Sequence, residues 1–390
     1  MKKLAAILPA LMIASLMAGC ADSSAAANKE LKEGEAAVKS IELKEENFKQ
    51  LGRTYYNNGK IYCALSGSGA EFTFTGTEVS VTFEGDTNSA SEACADKHAR
   101  VAVYVNGERK ADEMINEKTK TISIKTSDSE QSDVKIVKIS ESQESTCAIS
   151  DITVNGKDVK PAENKQHLIE FIGDSITCGY GVDDEDCNHH FSTKTEDCTK
   201  AYAYKTAEKL DADYSLVSYS GHGIISGYSG DGKKVLTQLV PPLYTHLGNT
   251  WSRNEEFDPA KLEWDFSKRE PDVIVINLGT NDDSYCKSQE EKCEDFRENY
   301  VKFVKKIREN NPNAKIIGTL GIMGQNLYPY VEKALRDYSE ETGDTNVDYL
   351  MFDQQNMNED GIAADWHPSE KTHEKASDKL AEKIKESMGW

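Results

Sequence analysis

An antiparallel β-sandwich followed by an α/β domain with a parallel sheet is the architecture this 390-residue sequence predicts. Three observations lead there. Between about 50 and 160 the apolar residues alternate with polar ones in short runs. Beyond about 166 the runs become nearly continuous in apolar character. Between those later runs lie stretches with helical periodicity.

In chain order, the first segment is an address. Lys2 and Lys3 precede the apolar LAAILPALMIASLM, which is short for a membrane span and ends in LMAGC. Small residues before a cysteine match the bacterial lipobox, so residues 1–19 are expected to be a signal peptide and Cys20 the lipidated mature N-terminus. The expectation is an exported lipoprotein, outer-membrane facing if the cell is Gram-negative, touching membrane only through that anchor. Residues 20–44, with DSSAAANKELKEGEAA, read as a polar tether.

Residues 45–162 carry EFTFTG, VSVTFEG, RVAVYVNG, KTISIKT, VKIVKIS and ISDITVNG, the signature of antiparallel strands in series. Asn106-Gly107 is a hairpin signal. Residues 163–390 carry the apolar strands LIEFIG, YSLVSYS, DVIVINLGT and AKIIGTLGI. Between and after them come the helical patterns AYAYKTAEKL, CEDFRENYVKFVKKIREN, YPYVEKALRDYSEETG and SEKTHEKASDKLAEKIKESM. Such alternation predicts a parallel sheet covered on both faces, with its site at the carboxyl ends of the strands.

Net charge and cysteines bound the chemistry. At −21, the chain is unsuited to binding nucleic acid through charge. Apart from Cys20, eight of the nine cysteines remain, an even number that suggests disulfides in an exported chain. Cys187 with Cys198, Cys286 with Cys293, and Cys94 with Cys147 are possible pairs. No CxxC spacing occurs and the histidines are scattered, so no metal site is expected.

The loops after the predicted strands carry the reactive residues. GDS, with Ser175, follows LIEFI; GHG, with Gly221, follows YSLVSYS; GTND, with Asn281, follows DVIVINL. DWHPS, with His367, precedes the last helix. A serine hydroxyl needs a base to become a nucleophile, and His367 is the candidate.

These four blocks in this order resemble those of the SGNH hydrolases. FIGDSITCGYGV, together with LGRTYY, GSGAEFTFTGTEV and RVAVYVNGE, resembles carbohydrate esterase family 2 more narrowly. That resemblance implies a jelly-roll domain, then a three-layer, flavodoxin-like SGNH domain that removes acetyl groups from plant polysaccharides without a cofactor. It implies oxyanion donors at the backbone N–H groups of Ser175 and Gly221 and the amide of Asn281. The family's aspartate three residues before the histidine is Ala364 here, so Asp365 is the candidate to orient His367; a backbone carbonyl, making a dyad, is the alternative.

Tyr180, His222, Trp251, Trp264 and Trp366 are candidate sugar contacts, with Trp366 foremost and Trp264 better read as a core anchor. Together these readings predict a monomeric esterase acting on acetylated polysaccharide or oligosaccharide. Another SGNH esterase or lipase, or a carbohydrate-binding lipoprotein without turnover, are the alternatives.

Overall fold

A computed structural model describes residues 38–126 and 131–390. The signal peptide, Cys20 and residues 20–37 of the predicted tether lie outside the described residues. The rest of that tether does not behave as one. Val38–Ser40 forms β1, paired antiparallel with a strand at Cys147–Pro161, and Ile41 and Leu43 are buried in the core. The β-domain therefore starts at least seven residues before the predicted boundary, because two apolar side chains there find a place inside it.

The next strands are β2 (Lys49–Leu51), β3 (Thr54–Asn57), β4 (Lys60–Cys63), β5 (Gly69–Gly85) and β6 (Ala99–Val105). They are followed by β7 (Glu108–Ile115), β8 (Thr119–Lys125), β9 (Gln131–Lys138) and β10 (Cys147–Pro161). All pair antiparallel. EFTFTG and VSVTFEG turn out to be halves of one strand, β5. Opposite β10, Gly156 pairs with Gly76 and Asn155 with Glu78, leaving Thr77 as an extra residue. One extra residue reverses which side chains face inward. Phe72 and Phe74 are buried before it, and Val79, Val81 and Phe83 after it. The first half of β5 accordingly pairs with β9 and the second with β8.

The second sheet is parallel, in the order β12 (Ala212–Ser218), β11 (His167–Gly173), β13 (Val273–Asn277), β14 (Lys315–Ile322), β15 (Val347–Gln354). The helices are α1 (Ser175–Cys178), α2 (Tyr202–Lys209), α3 (Val240–Leu243) and α4 (Thr280–Cys286). Then come α5 (Glu290–Asn310), α6 (Tyr328–Thr342), α7 (Met357–Asp360) and α8 (Glu370–Met388). Alternate residues of β13 explain the three layers. Ile274 and Ile276 pack with Phe296, Tyr300 and Leu335 of α5 and α6, while Val273 and Val275 pack with Tyr202, Leu380 and Ile384 of α2 and α8. Strand β15 was not among the predicted strands. It is the sheet's outer edge and only half-buried, so VDYLMFDQ lacks the continuous apolar character of its neighbours.

The two domains share a core. Leu51, Ala102, Val137 and Ile139 of the β-domain lie in one apolar cluster with Phe171, Tyr204 and Tyr214. The eight described cysteines are free. Of the predicted pairs, Cys286 and Cys293 are neighbours without a bond, whereas Cys147 faces Cys63 across β10 and β4 rather than Cys94.

Candidate active site

Strand β11 is buried up to Gly173, and Asp174 then starts α1 by accepting the Ile176 N–H at 3.1 Å. Gly173 is required there, since a Cβ would lie 2.0 Å from Thr177 Oγ1. The result is a sharp elbow with Ser175 as the first residue of α1. Among the described residues its backbone N–H finds no acceptor.

His367 meets it from the loop before α8. Its Nε2 lies 2.8 Å from Ser175 Oγ, and its Nδ1 lies 3.2 Å from the carbonyl oxygen of Ala364. A carbonyl can only accept, so Nδ1 carries the proton and Nε2 keeps the lone pair that receives the serine O–H. Burial pushes the His367 pKa down to about 4, which keeps the ring unprotonated, with the Nε2 lone pair free, at neutral pH.

The expected role of Asp365 does not hold. Asp365 has φ 49° and Trp366 φ 65°, and this left-handed pair of residues turns the carboxylate away from the imidazole. Asp365 Oδ2 instead accepts the Tyr180 O–H at 2.5 Å, and Oδ1 lies 2.8 Å from His190 Nδ1. The group that orients His367 is the carbonyl of Ala364, the very position where the aspartate is missing. That absence was the readable signal; His190 had none beyond its place in a His-His pair.

Tyr180 is corrected too. Its ring stacks on His367 with centroids 3.9 Å apart and planes at 17°, so it backs the base rather than offering a free face to a sugar. His222 is only 1% exposed, which removes it as a sugar platform. Its Nδ1 bonds to the Ser220 carbonyl at 2.9 Å and its own carbonyl accepts the Asn281 amide at 2.8 Å. The second reach of that amide is to Asp174 Oδ2, at 3.3 Å.

Gly221 sits between them at φ 73°, a conformation glycine adopts without strain, and among the described residues its N–H also has no acceptor. Asp282 accepts the N–H groups of Ile224, Ile225 and Ser226 at 2.7–3.0 Å and so ties the glycine loop to α4. Burial raises Asp174 to about 7 and Asp282 to about 6. Three strand ends and one loop thus bring Ser175, Gly221, Asn281 and His367 to the same edge of the parallel sheet.

Trp366, beside the base, is 55% exposed and Trp251 56%, so both offer free ring surface. Trp264 instead packs in the apolar cluster around Tyr62 and Phe257 and beside the Arg53 guanidinium. Among the described residues, metal-ligand atoms of three buried side chains converge at one place: Glu141, Cys178 and Glu196.

An elbow serine paired with a loop histidine over a parallel sheet is the site of an acyl-transferring hydrolase. Residues 171–375 match the GDSL-like lipase/acylhydrolase family, and the chain belongs to that family; residues 50–175 match the carbohydrate esterase 2 N-terminal domain. The chain is 30% identical over 342 residues to a cellulase/esterase of Acetivibrio thermocellus, covering 84% of this chain but 38% of that protein. It is 24% identical to an acetylxylan esterase/glucomannan deacetylase of Cellvibrio japonicus, covering 91% and 93% of the two.

Among solved structures, a family two carbohydrate esterase from Clostridium thermocellum in complex with cellohexaose superposes with a TM-score of 0.75 at 29% identity, over 88% of this chain and 99% of that one. An acetyl xylan esterase from Butyrivibrio proteoclasticus shares the fold, with a TM-score of 0.81 at 23% identity over 91% and 99%.

Proposed function

We propose that this protein is a carbohydrate O-acetylesterase working through a Ser175–His367 dyad. The observation that carries the reading is the 2.8 Å contact between His367 Nε2 and Ser175 Oγ, with Nδ1 held by a backbone carbonyl. Ser175 Oγ attacks the acetyl carbonyl carbon while its proton moves to Nε2. The oxyanion forms near the unpartnered N–H groups of Ser175 and Gly221. The Asn281 amide, held by the His222 carbonyl, becomes the third donor by exchanging its 3.3 Å contact with Asp174 for the oxyanion. Each donor of this kind is worth about 3 kcal/mol in comparable sites. His367 then protonates the departing sugar oxygen, leaving acetyl-Ser175. A water then attacks the acetyl carbon as Nε2 takes its proton, the bond to Oγ breaks as that proton passes to Ser175, and acetate leaves. No cofactor enters these steps.

The substrate is an acetylated polysaccharide or its fragments, of the xylan or glucomannan kind. Support comes from the names of the relatives and from the exposed Trp366 ring beside the base. The LMAGC motif supports lipid attachment at Cys20 and a surface or periplasm-facing location.

The test is acetate release from 4-nitrophenyl acetate and acetylated xylan. Wild type is expected to turn over both, Ser175→Ala neither. Preference for long acyl chains would point to a lipase instead. Polysaccharide binding without release of acetate from either ester would point to a binding protein.

A further inference from the structure

The loop between β9 and β10, residues 139–146, is buried throughout although seven of its eight residues are polar, ISESQEST. It belongs to the β-domain, yet it ends up behind the catalytic elbow. Glu141 Oε2 accepts the backbone N–H of Ser220 at 2.9 Å. Ser220 immediately precedes Gly221, and its carbonyl is held from the other side by His222 Nδ1. In a trans peptide the C=O and the following N–H point in opposite directions. Holding Ser220 at its N–H and its C=O therefore sets where the Gly221 N–H points.

The backbone of Glu141 is held at both its N–H and its C=O, while Oε1 of its side chain has no partner among the described residues. Its N–H donates to Glu196 Oε2 at 2.7 Å and its carbonyl accepts the Lys138 ammonium at 2.7 Å. Cys178, on the same short helix as Ser175, closes the cluster and contacts Ser218 Oγ at 3.2 Å. A carboxylate buried this deeply costs stability unless its bonds offset the loss of water, and here its bond goes to a backbone that does chemistry.

We propose that Glu141, supplied by the N-terminal domain, is a positioning residue for the oxyanion donor Gly221. The inference rests on the esterase reading above. It makes the β-domain part of the catalytic machinery rather than only a frame for the cleft.

The experiment compares Glu141→Met, Glu141→Gln and Glu141→Asp in the mature protein. It measures kcat and KM on 4-nitrophenyl acetate, the rate of Ser175 labelling by 4-nitrophenyl ethylphosphonate, and Tm. The phosphonate oxygen occupies the oxyanion position, so labelling reads the donors directly. Glu141→Met is expected to lower kcat and the labelling rate about 30- to 100-fold with KM within about threefold, the scale of a displaced oxyanion donor.

Glu141→Gln keeps an accepting oxygen and should restore both rates to within about threefold of wild type. Equal kcat in wild type and folded Glu141→Met overturns the inference alone. So does an equal loss in the Met and Gln variants. If Glu141→Met does not fold, the Gln and Asp variants decide: the proposal requires Asp, one methylene too short, to be at least about fivefold slower than Gln. A wild type inert to both probes sinks the esterase reading, and this inference with it.

Discussion

The β-domain meets the parallel sheet at both ends of its strands, and the two junctions are built differently. Towards the amino ends, the two buried carboxylates at the junction, Glu170 and Asp213, each have a cation. Glu170 receives Arg53 Nη2 at 3.1 and 3.3 Å together with the hydroxyls of Tyr244 and Ser215, both at 3.0 Å. Asp213 receives Lys49 at 2.7 Å and also Arg269. Burial opposes ionisation of Asp213, but these two cations outweigh it and hold its pKa below the usual range.

At the carboxyl ends Asp197 pairs with Arg109 at 2.7 Å, but Asp174, Asp282, Glu141 and Glu196 are fully buried and form no ion pair among the described residues. Asp174, Asp282 and Glu141 are held by backbone N–H groups of the catalytic loops and Glu196 by the N–H of Glu141, and burial pushes all four upward, Glu141 to about 7. The first junction is arranged for cohesion. The second accepts costly groups because they fix the backbone that does the chemistry.

The sharpest way to break this contrast is to remove one group from each end. His367→Ala should lower kcat by about 10⁴-fold or more while Tm changes little, measured on 4-nitrophenyl acetate and by thermal melting. Arg53→Met should do the reverse. It strands Glu170 without its cation and should destabilise by about 3–5 kcal/mol, read from denaturant unfolding, with kcat of the folded fraction retained. A kcat loss in Arg53→Met as deep as that in His367→Ala would erase the distinction.

Titration sharpens it further. Asp174 and Glu141 have folded pKa values of about 7, above their unfolded values near 4. Their contribution to stability is present below about pH 4 and lost as pH rises to about 7, so Tm should fall between about pH 4 and 7. Asp174→Asn should flatten that fall. His367 has the opposite sign: its folded value of about 4 lies below 6.5, so its contribution is present above about pH 6.5 and lost as pH falls through 4. Because its neutral form is the base, the acid limb of kcat/KM should lie near pH 4, and a midpoint near 6.5 would contradict the buried, carbonyl-held ring.

The smallest effect is expected at Asp365. Asp365→Ala loses contacts to Tyr180 and His190 but none to His367, so kcat should drop by less than about tenfold, against the ~10⁴-fold cost of losing a true triad aspartate.

What could be read in the sequence was local. Apolar runs ending in GDS, GHG and GTND place Ser175, Gly221 and Asn281 at strand ends, because turn chemistry follows directly upon a buried strand. The period change near residue 163 separates the domains for the same reason, since periodicity is a property of neighbouring residues. Even the dyad left a trace, in the alanine at 364. The extra residue at Thr77, the direction of the Asp365 carboxylate and the reach of Glu141 into the oxyanion loop left none. Glu141 and Ser220 are 79 residues apart and meet only because two domains pack. Asp365 stands two positions before the base, but a left-handed backbone set by the surrounding contacts sends its side chain elsewhere. Covalent neighbours and hydrophobic period decide which elements form and which residues end them; the angle at which a side chain leaves its backbone, and what waits there, is decided by packing between segments far apart in the chain.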